Sequence, residues 1–280
     1  MHLVKETLME YEIKPKNKLD LGLKELWEYR ELFYFFTWRD IKVKYKQTAF
    51  GILWAVVQPL ILAVLFTFCL GKLVSGATQI NMPYPLFALS GLIIWNIFAS
   101  GLANAGNSMV SNANIIKKIY FPRLIIPVSA VLVSLFDFLI SLFVFIPVCF
   151  YYHADFNIMG LVFIPLSIIL TCVSTFGLGV LLAALNVKYR DFRYVIPFLI
   201  QSLLFATPII YPVKITENLF LQTLLKLNPM TAPVELFRTS LGKAQTDWNS
   251  ILISISVSVI IFIAGLFYFR KTESYFADLA

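Results

Sequence analysis

The sequence has 280 residues, of which 59% are hydrophobic and 14% are charged, and its mean hydropathy is +0.78. A soluble protein of this length could not bury so much apolar surface, and large exposed apolar patches cause association, so an ordinary soluble fold is excluded. The net charge is +7, but the basic residues are spread over several connections rather than gathered on one face, which excludes a nucleic-acid-binding protein.

Two segments precede the apolar part of the chain. Residues 1–20 are polar, and we expect a flexible N-terminal segment there. In residues 21–38, apolar side chains recur at three- or four-residue spacing, at Leu26, Tyr29, Phe33 and Phe36. This period predicts an amphipathic helix, and Trp27 and Trp38 suit the lipid headgroup zone. We therefore predict an interfacial helix lying on the membrane; the alternative is a helix packed on a soluble partner.

Six long apolar runs follow, and each is compatible with the roughly 20 apolar residues that a membrane-spanning helix needs. The runs are continuous and do not alternate with a period of two, which excludes a transmembrane β-barrel. The predicted spans lie near residues 50–71, 84–107, 124–150, 158–185, 194–212 and 250–269. The fold class is therefore an all-α integral membrane protein, in which residues 21–280 form a single transmembrane domain.

The distribution of basic residues predicts the orientation. Eighteen of the 23 Lys and Arg residues lie before the first span or in the connections after the second, fourth and sixth spans. The other five lie on the opposite side. Cytoplasmic connections of membrane proteins carry the excess of Lys and Arg. We therefore expect a multi-pass protein of the cytoplasmic (inner) membrane, with both termini in the cytoplasm.

Polar side chains inside the spans form two features. A stripe with a spacing of four residues runs along the second span, at Asn96, Ser100, Asn104 and Ser108. Such side chains must face protein or water, so the stripe either bonds to neighbouring helices or lines a path for a hydroxyl-rich substrate. Asp137 is a single carboxylate in the third span. Pairing with another helix and a role in transport both remain open for this residue.

Residues 213–249 form the longest segment predicted on the outer side, and the pattern is not that of a simple polar loop. Leu219–Leu227 and Val234–Leu241 are short, amphipathic and helical in period, and prolines separate them. Each is too short to cross a bilayer. We predict two re-entrant helices that enter from the outside and close the outer end of a channel, covered by protein or water.

The sequence lacks the residues that an enzyme of this size would need. No phosphate-binding loop of the G-x-x-x-x-G-K-[ST] form is present, the histidines are isolated, and the three cysteines fall in predicted spans. No metal ligands, catalytic residues or cofactor are therefore predicted on this chain. A polar path without its own energy source indicates a transport subunit that works with an energy-supplying partner.

Four segments resemble one known family. They are WRDIKVKYKQTAFGILWAVVQP at Trp38–Pro59, KKIYFPRLIIPV at Lys117–Val128, YRDF at Tyr189–Phe192 and LNPMTAPVELFR at Leu227–Arg238. They are similar to the permease subunit of polysaccharide-exporting ABC transporters of the ABC-2 class, and the resemblance extends from about residue 20 to the end. It implies export of a polyprenyl-linked O-antigen, capsule or teichoic acid polymer. It also implies a homodimer working with two copies of an ATPase subunit, which would carry ATP and Mg²⁺.

The resemblance also implies roles for particular residues. The first and second cytoplasmic connections would contact the ATPase through Asn114, Lys117, Lys118, Tyr120, Arg123, Tyr189 and Arg190. The alternative is that these basic clusters only set the topology, and both interpretations can hold. The interfacial helix is similar to the element that flanks the access point of the lipid-linked substrate. Its candidate residues are Trp27, Arg30, Trp38 and Arg39.

Aromatic side chains are candidates for the channel lining, because sugar C–H groups can stack on their faces. Together with the polar stripe, the candidate residues are Phe98, Phe198 and Phe205. The sequence therefore predicts an exporter of lipid-linked polysaccharide. The alternative is an ABC-2 permease for a drug or a simple lipid. A membrane glycosyl- or acyltransferase would need convergent His or carboxylate groups, and a purely structural protein would not explain the outer helices.

Overall fold

The structure is a computed structural model that describes residues 23–46, 51–77, 80–154, 160–215, 217–242, 247–273 and 276. The prediction of a flexible segment at 1–20 lies outside these residues. The described part of the chain contains helices and turns and no strand. The helices are α1 Leu23–Glu28, α2 Arg30–Lys46, α3 Trp54–Ala77, α4 Tyr84–Ser111, α5 Ala113–Ile116, α6 Ile125–Tyr151, α7 Gly160–Lys188, α8 Phe192–Ala206, α9 Leu219–Lys226, α10 Thr231–Thr239 and α11 Trp248–Thr272.

Five helices of the described residues are long and apolar enough to cross a membrane, namely α3, α4, α6, α7 and α11. They have 24 to 29 residues, and a rise of about 1.5 Å per residue makes each longer than the roughly 30 Å of a bilayer core. These helices confirm the all-α membrane fold and five of the six predicted spans.

The remaining predicted span, 194–212, is a shorter helix than expected. Helix α8 has 15 residues and ends at Ala206, so the prediction that it continues to residue 212 is wrong. Thr207 precedes Pro208, and the proline ring disfavours helical geometry at the residue before it. Thr207 accordingly has an extended backbone, with φ −98° and ψ 140°.

Helix α4 is the centre of the fold, and small residues allow its neighbours to approach it closely. A Cβ atom at Gly101 would lie 2.6 Å from Thr175 Cγ2 of α7 and 2.9 Å from Ser134 Oγ of α6. Helices α7 and α11 meet in the same way, because a Cβ atom at Gly177 would lie 2.6 Å from Phe262 Cα. Contacts this close are what small residues provide between membrane helices.

The interfacial helix is longer than the predicted 21–38. After a turn at Tyr29, α2 continues to Lys46, because no proline or glycine interrupts residues 30–46. Its apolar face packs on the protein: the Phe36 side chain is 4% exposed, and its ring centroid lies 5.6 Å from that of Phe121. Trp27, in the preceding helix α1, is 70% exposed.

Helices α3 and α8 lie at the edge of the described fold. In an apolar stretch of 18 residues taken from each helix, 17% of the stretch is buried in α3, compared with 78% in α4. On α8, Ile196 is the residue buried in the protein, while most of the others are exposed or half-buried. These two helices therefore leave large faces for lipid, for water or for another chain.

Candidate functional site: a polar path and two basic connections

The connection between α4 and α6 displays most of the residues that were predicted to contact an ATPase. Ile116 and Phe121 are buried and anchor the connection to the protein. The residues exposed around these anchors are Asn114, Lys117, Lys118 and Tyr120. Tyr120 is 75% exposed, and the neighbouring Ile119 is 62% exposed. An exposed apolar and basic surface of this kind is suited to binding an acidic protein surface.

Arg123 differs from the other residues of this connection. Its Nη1 donates a hydrogen bond to the main-chain carbonyl of Glu273, and its guanidinium lies 5.9 Å from the ring centroid of Phe276. Arg123 is therefore engaged with the C-terminal end of the chain in this structure. It does not extend outward with Lys117 and Lys118.

The turn between α7 and α8 contains the second group of predicted contacts. Tyr189 and Arg190 are exposed, and the chain re-enters a helix at Phe192. Arg190 lines a cleft of about 440 Å³ together with residues from the ends of α4 and α7 and from the start of α5. The structure therefore brings the turn and the first connection together.

The four residues predicted near the substrate access point are used in different ways. Trp27 and Arg30 form an exposed pair, with the guanidinium 5.7 Å from the indole centroid, and Trp38 is 46% exposed. Arg39 is instead half-buried and bonded to another part of the protein. Its Nη2 donates to Asn112 Oδ1 at 2.8 Å, so it connects α2 to the first basic connection.

Asp137 has partners that the sequence did not reveal. Its carboxylate is ion-paired with Lys44 and accepts a hydrogen bond from the hydroxyl of Tyr45, and both partners lie on α2. Burial, the hydrogen bond to Asp137 and the negative charge of Asp137 raise the pKa of Tyr45. Of the two possibilities left open for Asp137, the structure supports pairing between helices.

The polar stripe of α4 is divided between packing and exposure. Ser108 is buried, and its hydroxyl donates to the Ala105 carbonyl at 2.6 Å. Asn96 and Ser100 are half-buried, and the Ser100 hydroxyl donates to the Asn96 carbonyl at 2.8 Å. Asn104 is exposed. Ser108 therefore serves the helix itself, while Asn104 is available to a substrate or to another chain.

The three aromatic candidates for the channel lining also differ in their exposure. Phe98 has no exposed surface, and its ring centroid lies 5.1 Å from that of Trp95, so it is a core residue in this structure and does not line a path. Phe198 and Phe205 of α8 are 72% and 55% exposed. Gln201 is also exposed, three residues after Phe198 and four before Phe205, so these side chains share one face of α8.

The segment between α8 and α11, which was predicted on the outer side, contains two short helices. The first lies close to its predicted bounds, whereas the second begins at Thr231 and not at the predicted Val234. Hydroxyl groups of the long helices hold this segment. Asn228, in the turn between α9 and α10, donates to Thr207 Oγ1 at 2.9 Å and accepts from the Met230 amide at 2.8 Å. Carbonyls of this segment accept hydrogen bonds from four serine hydroxyls, those of Ser167, Ser174, Ser254 and Ser258. Main-chain groups that a bilayer could not satisfy are thus satisfied by protein.

Arg238 is a buried structural residue that the sequence did not identify. Its side chain is 1% exposed, although charged residues are rarely buried to this extent. It donates to the Pro208 carbonyl at 2.7 Å, to the Phe87 carbonyl at 3.1 Å and to the Ile209 carbonyl. The Oε1 atom of Glu235, one helical turn earlier, lies 3.8 Å from Arg238 Nη1. Arg238 therefore fastens α10 to α4 and to the end of α8.

Comparisons with known proteins agree with the resemblance. The model of the family described as "ABC-2 type transporter" matches residues 31–241. A protein named "O-antigen export system permease protein RfbA" from Klebsiella pneumoniae is 32% identical over 250 residues, which cover 89% of this chain and 95% of the relative. A protein of the same name from Myxococcus xanthus is 26% identical, covering 91% and 98%. The "Polysialic acid transport protein KpsM" of Escherichia coli is 26% identical, covering 84% and 91%.

Proposed function

This chain belongs to the ABC-2 type transporter family, and from this membership we propose that it is the permease subunit of an ATP-driven exporter of lipid-linked polysaccharide. The three relatives described above are named for the export of O-antigen or the transport of polysialic acid. A polysaccharide is therefore favoured over a drug or a simple lipid. The observation that carries the transport role is the exposed face of α8.

That face combines aromatic rings with an amide on a mostly apolar helix. Gln201 is exposed between Phe198 and Phe205, and an amide at membrane depth must meet protein or water. A second copy of the chain, related by a two-fold axis, would place two such faces opposite each other. The space between them would offer rings to sugar C–H groups and amides to hydroxyl groups.

A partner would supply the energy, because this sequence has no phosphate-binding loop. The exposed connection from Asn114 to Tyr120 supports docking of an ATPase subunit, two copies of which would serve the homodimer and carry ATP and Mg²⁺. With this connection in the cytoplasm, both termini are cytoplasmic, as the distribution of basic residues favours. The exporter would then lie in the inner membrane, and nucleotide-driven closure of the ATPase pair would move the connections.

The experiment is depletion of this chain in its own host, with the polysaccharide located afterwards. We expect lipid-linked polymer to accumulate on the cytoplasmic side while the cell surface becomes bare. Expression of the wild-type chain should restore the surface polymer. A control strain that carries the exposed-surface variant Lys271→Gln should behave as wild type. Normal surface polysaccharide in cells that lack the chain would contradict the proposal.

A further inference from the structure

We propose that the cleft at the turn between α7 and α8 binds a phosphate group, with Arg190 and Arg193 as its ligands. This inference rests on the proposed function and adds a binding site to it. The cleft has a volume of about 440 Å³, which lies in the range of roughly 300–1,000 Å³ typical of small-molecule sites. Its lining residues include Asn186, Arg190, Arg193 and Tyr194.

The two arginines differ in their pairing from four of the other five arginines of the described chain; the fifth, Arg30, lies over the ring of Trp27. Arg39, Arg123, Arg238 and Arg270 donate hydrogen bonds to carboxylate, amide or carbonyl oxygens. Among the described residues, neither Arg190 nor Arg193 has a side-chain hydrogen bond or an ion pair. Asp191 lies between them in the sequence and is exposed, but it pairs with neither. Two guanidinium groups therefore remain available at one cleft.

The floor of the cleft is fixed by a buried amide. Asn186 is 3% exposed, and its Nδ2 donates to the Gly106 carbonyl at 3.0 Å and to Asn107 Oδ1 at 3.1 Å. These bonds join the end of α7 to α4. The position of Asn186 in the cleft is therefore fixed by the helices and not by the conformation of the turn. A preformed wall lowers the ordering cost of binding a ligand.

The chemistry of the cleft favours phosphate. Guanidinium groups bind phosphate oxygens in a bidentate manner, and Tyr194 adds a hydroxyl donor. Arg193 is the second residue of α8, and the positive end of a helix dipole attracts anions. The turn belongs to a basic connection, which in membrane proteins lies at the level of the lipid phosphates. The source of the phosphate is either the linkage of the lipid-bound substrate or an anionic phospholipid headgroup.

A concave site also distinguishes a small anion from a protein partner. The resemblance to the transporter family implied an ATPase contact for Arg190, and an acidic protein surface would be drawn to exposed arginines as well. The exposed connection residues Lys117 and Lys118 are better placed for such a surface, because the exposed apolar side chain of Ile119 lies beside them. The ATPase contact is therefore the competing outcome of the test.

The test uses the purified full-length chain in phosphatidylcholine nanodiscs, with inorganic pyrophosphate titrated by calorimetry. The wild type should bind pyrophosphate, the double variant Arg190→Gln/Arg193→Gln should bind at least tenfold more weakly, and Lys271→Gln should bind as the wild type does. Melting temperature and size-exclusion profiles check folding. If the double variant does not fold, each single variant should still weaken binding at least threefold.

Two competition experiments identify the source of the bound phosphate group. Competition by farnesyl diphosphate, with no competition from phosphatidylglycerol in the nanodisc, assigns the site to the lipid-linked substrate. Competition by phosphatidylglycerol assigns it to a phospholipid headgroup. Unchanged pyrophosphate affinity in the double variant overturns the proposal, above all if that variant no longer copurifies with its ATPase. A wild-type chain that exports glycan normally but binds no pyrophosphate also overturns it and leaves the transport function standing.

Discussion

The ion pair between Lys44 and Asp137 provides the sharpest test of how the interfacial helix is held. The Asp137 side chain is 6% exposed, whereas that of Lys44 is 38% exposed. Lys44→Met would leave the buried Asp137 carboxylate without its ion pair, so that only the hydrogen bond from the Tyr45 hydroxyl would still stabilise it. Asp137→Asn would leave an ammonium group that can reach water. We therefore expect Lys44→Met to destabilise the protein more than Asp137→Asn does.

The magnitude follows from the unequal exposure. Removing one partner of a fully buried pair costs about 3–5 kcal/mol, and an exposed pair contributes about 0.2–1 kcal/mol. Because Lys44 is more than a third exposed, we expect a loss of about 2 kcal/mol for Lys44→Met and about 1 kcal/mol for Asp137→Asn. The double variant should lose less than the sum, with a coupling energy of about 1 kcal/mol.

The assay is the free energy of unfolding of the purified protein in mixed micelles, obtained by titration with sodium dodecyl sulfate. Lys46→Met is the matched control, because Lys46 is an exposed lysine of the same helix. It should change the free energy by less than about 0.5 kcal/mol. Strict additivity of the two single variants would refute the reasoning, and so would a larger loss for Asp137→Asn than for Lys44→Met.

Three more predictions concern the outer segment, the path and the coupling surface. Arg238→Met removes the donor of three carbonyl hydrogen bonds and should lower the free energy of unfolding by about 3 kcal/mol; wild-type stability would contradict the bracing role. Phe205→Ala should reduce polysaccharide export at least threefold at unchanged protein level, whereas Phe143→Ala, on a 78% exposed residue of α6, should not. Lys118→Glu should reduce copurification of the ATPase about tenfold, and equal loss in the control Lys271→Glu would exclude a specific contact.

Most of the membrane fold could be predicted because hydropathy is a local property of the sequence. A run of about 20 apolar residues has few alternatives to a membrane helix. Four of the five long helices begin and end within four residues of the prediction, and α3 ends six residues later than predicted, at Ala77. The end of α8 was missed because hydropathy ignores the backbone restriction that Pro208 imposes on Thr207. The Thr-Pro dipeptide was the available signal, and it outweighs the apolar residues that follow it.

The partners of the charged residues could not be predicted, because they depend on packing between distant segments. Lys44 and Asp137 are 93 positions apart, and Arg238 and Phe87 are 151 apart. No periodic pattern in the sequence links residues that are this far apart. Arg238 was assigned to the outer side by its position between two predicted spans, yet it is buried because the non-helical chain at Pro208 and Ile209 presents carbonyls that need a donor.

The hydrogen bonds at Asn112 explain how force on the basic connection could reach the interfacial helix. Asn112 accepts from Arg39 of α2 at 2.8 Å and donates to the Ser108 carbonyl of α4, also at 2.8 Å. Displacement of the connection by a partner therefore acts on α2 directly, without passing through the tightly packed core of α4, α6, α7 and α11. Because α2 is fastened a second time at Asp137, it should respond by tilting about that ion pair rather than by detaching from the protein.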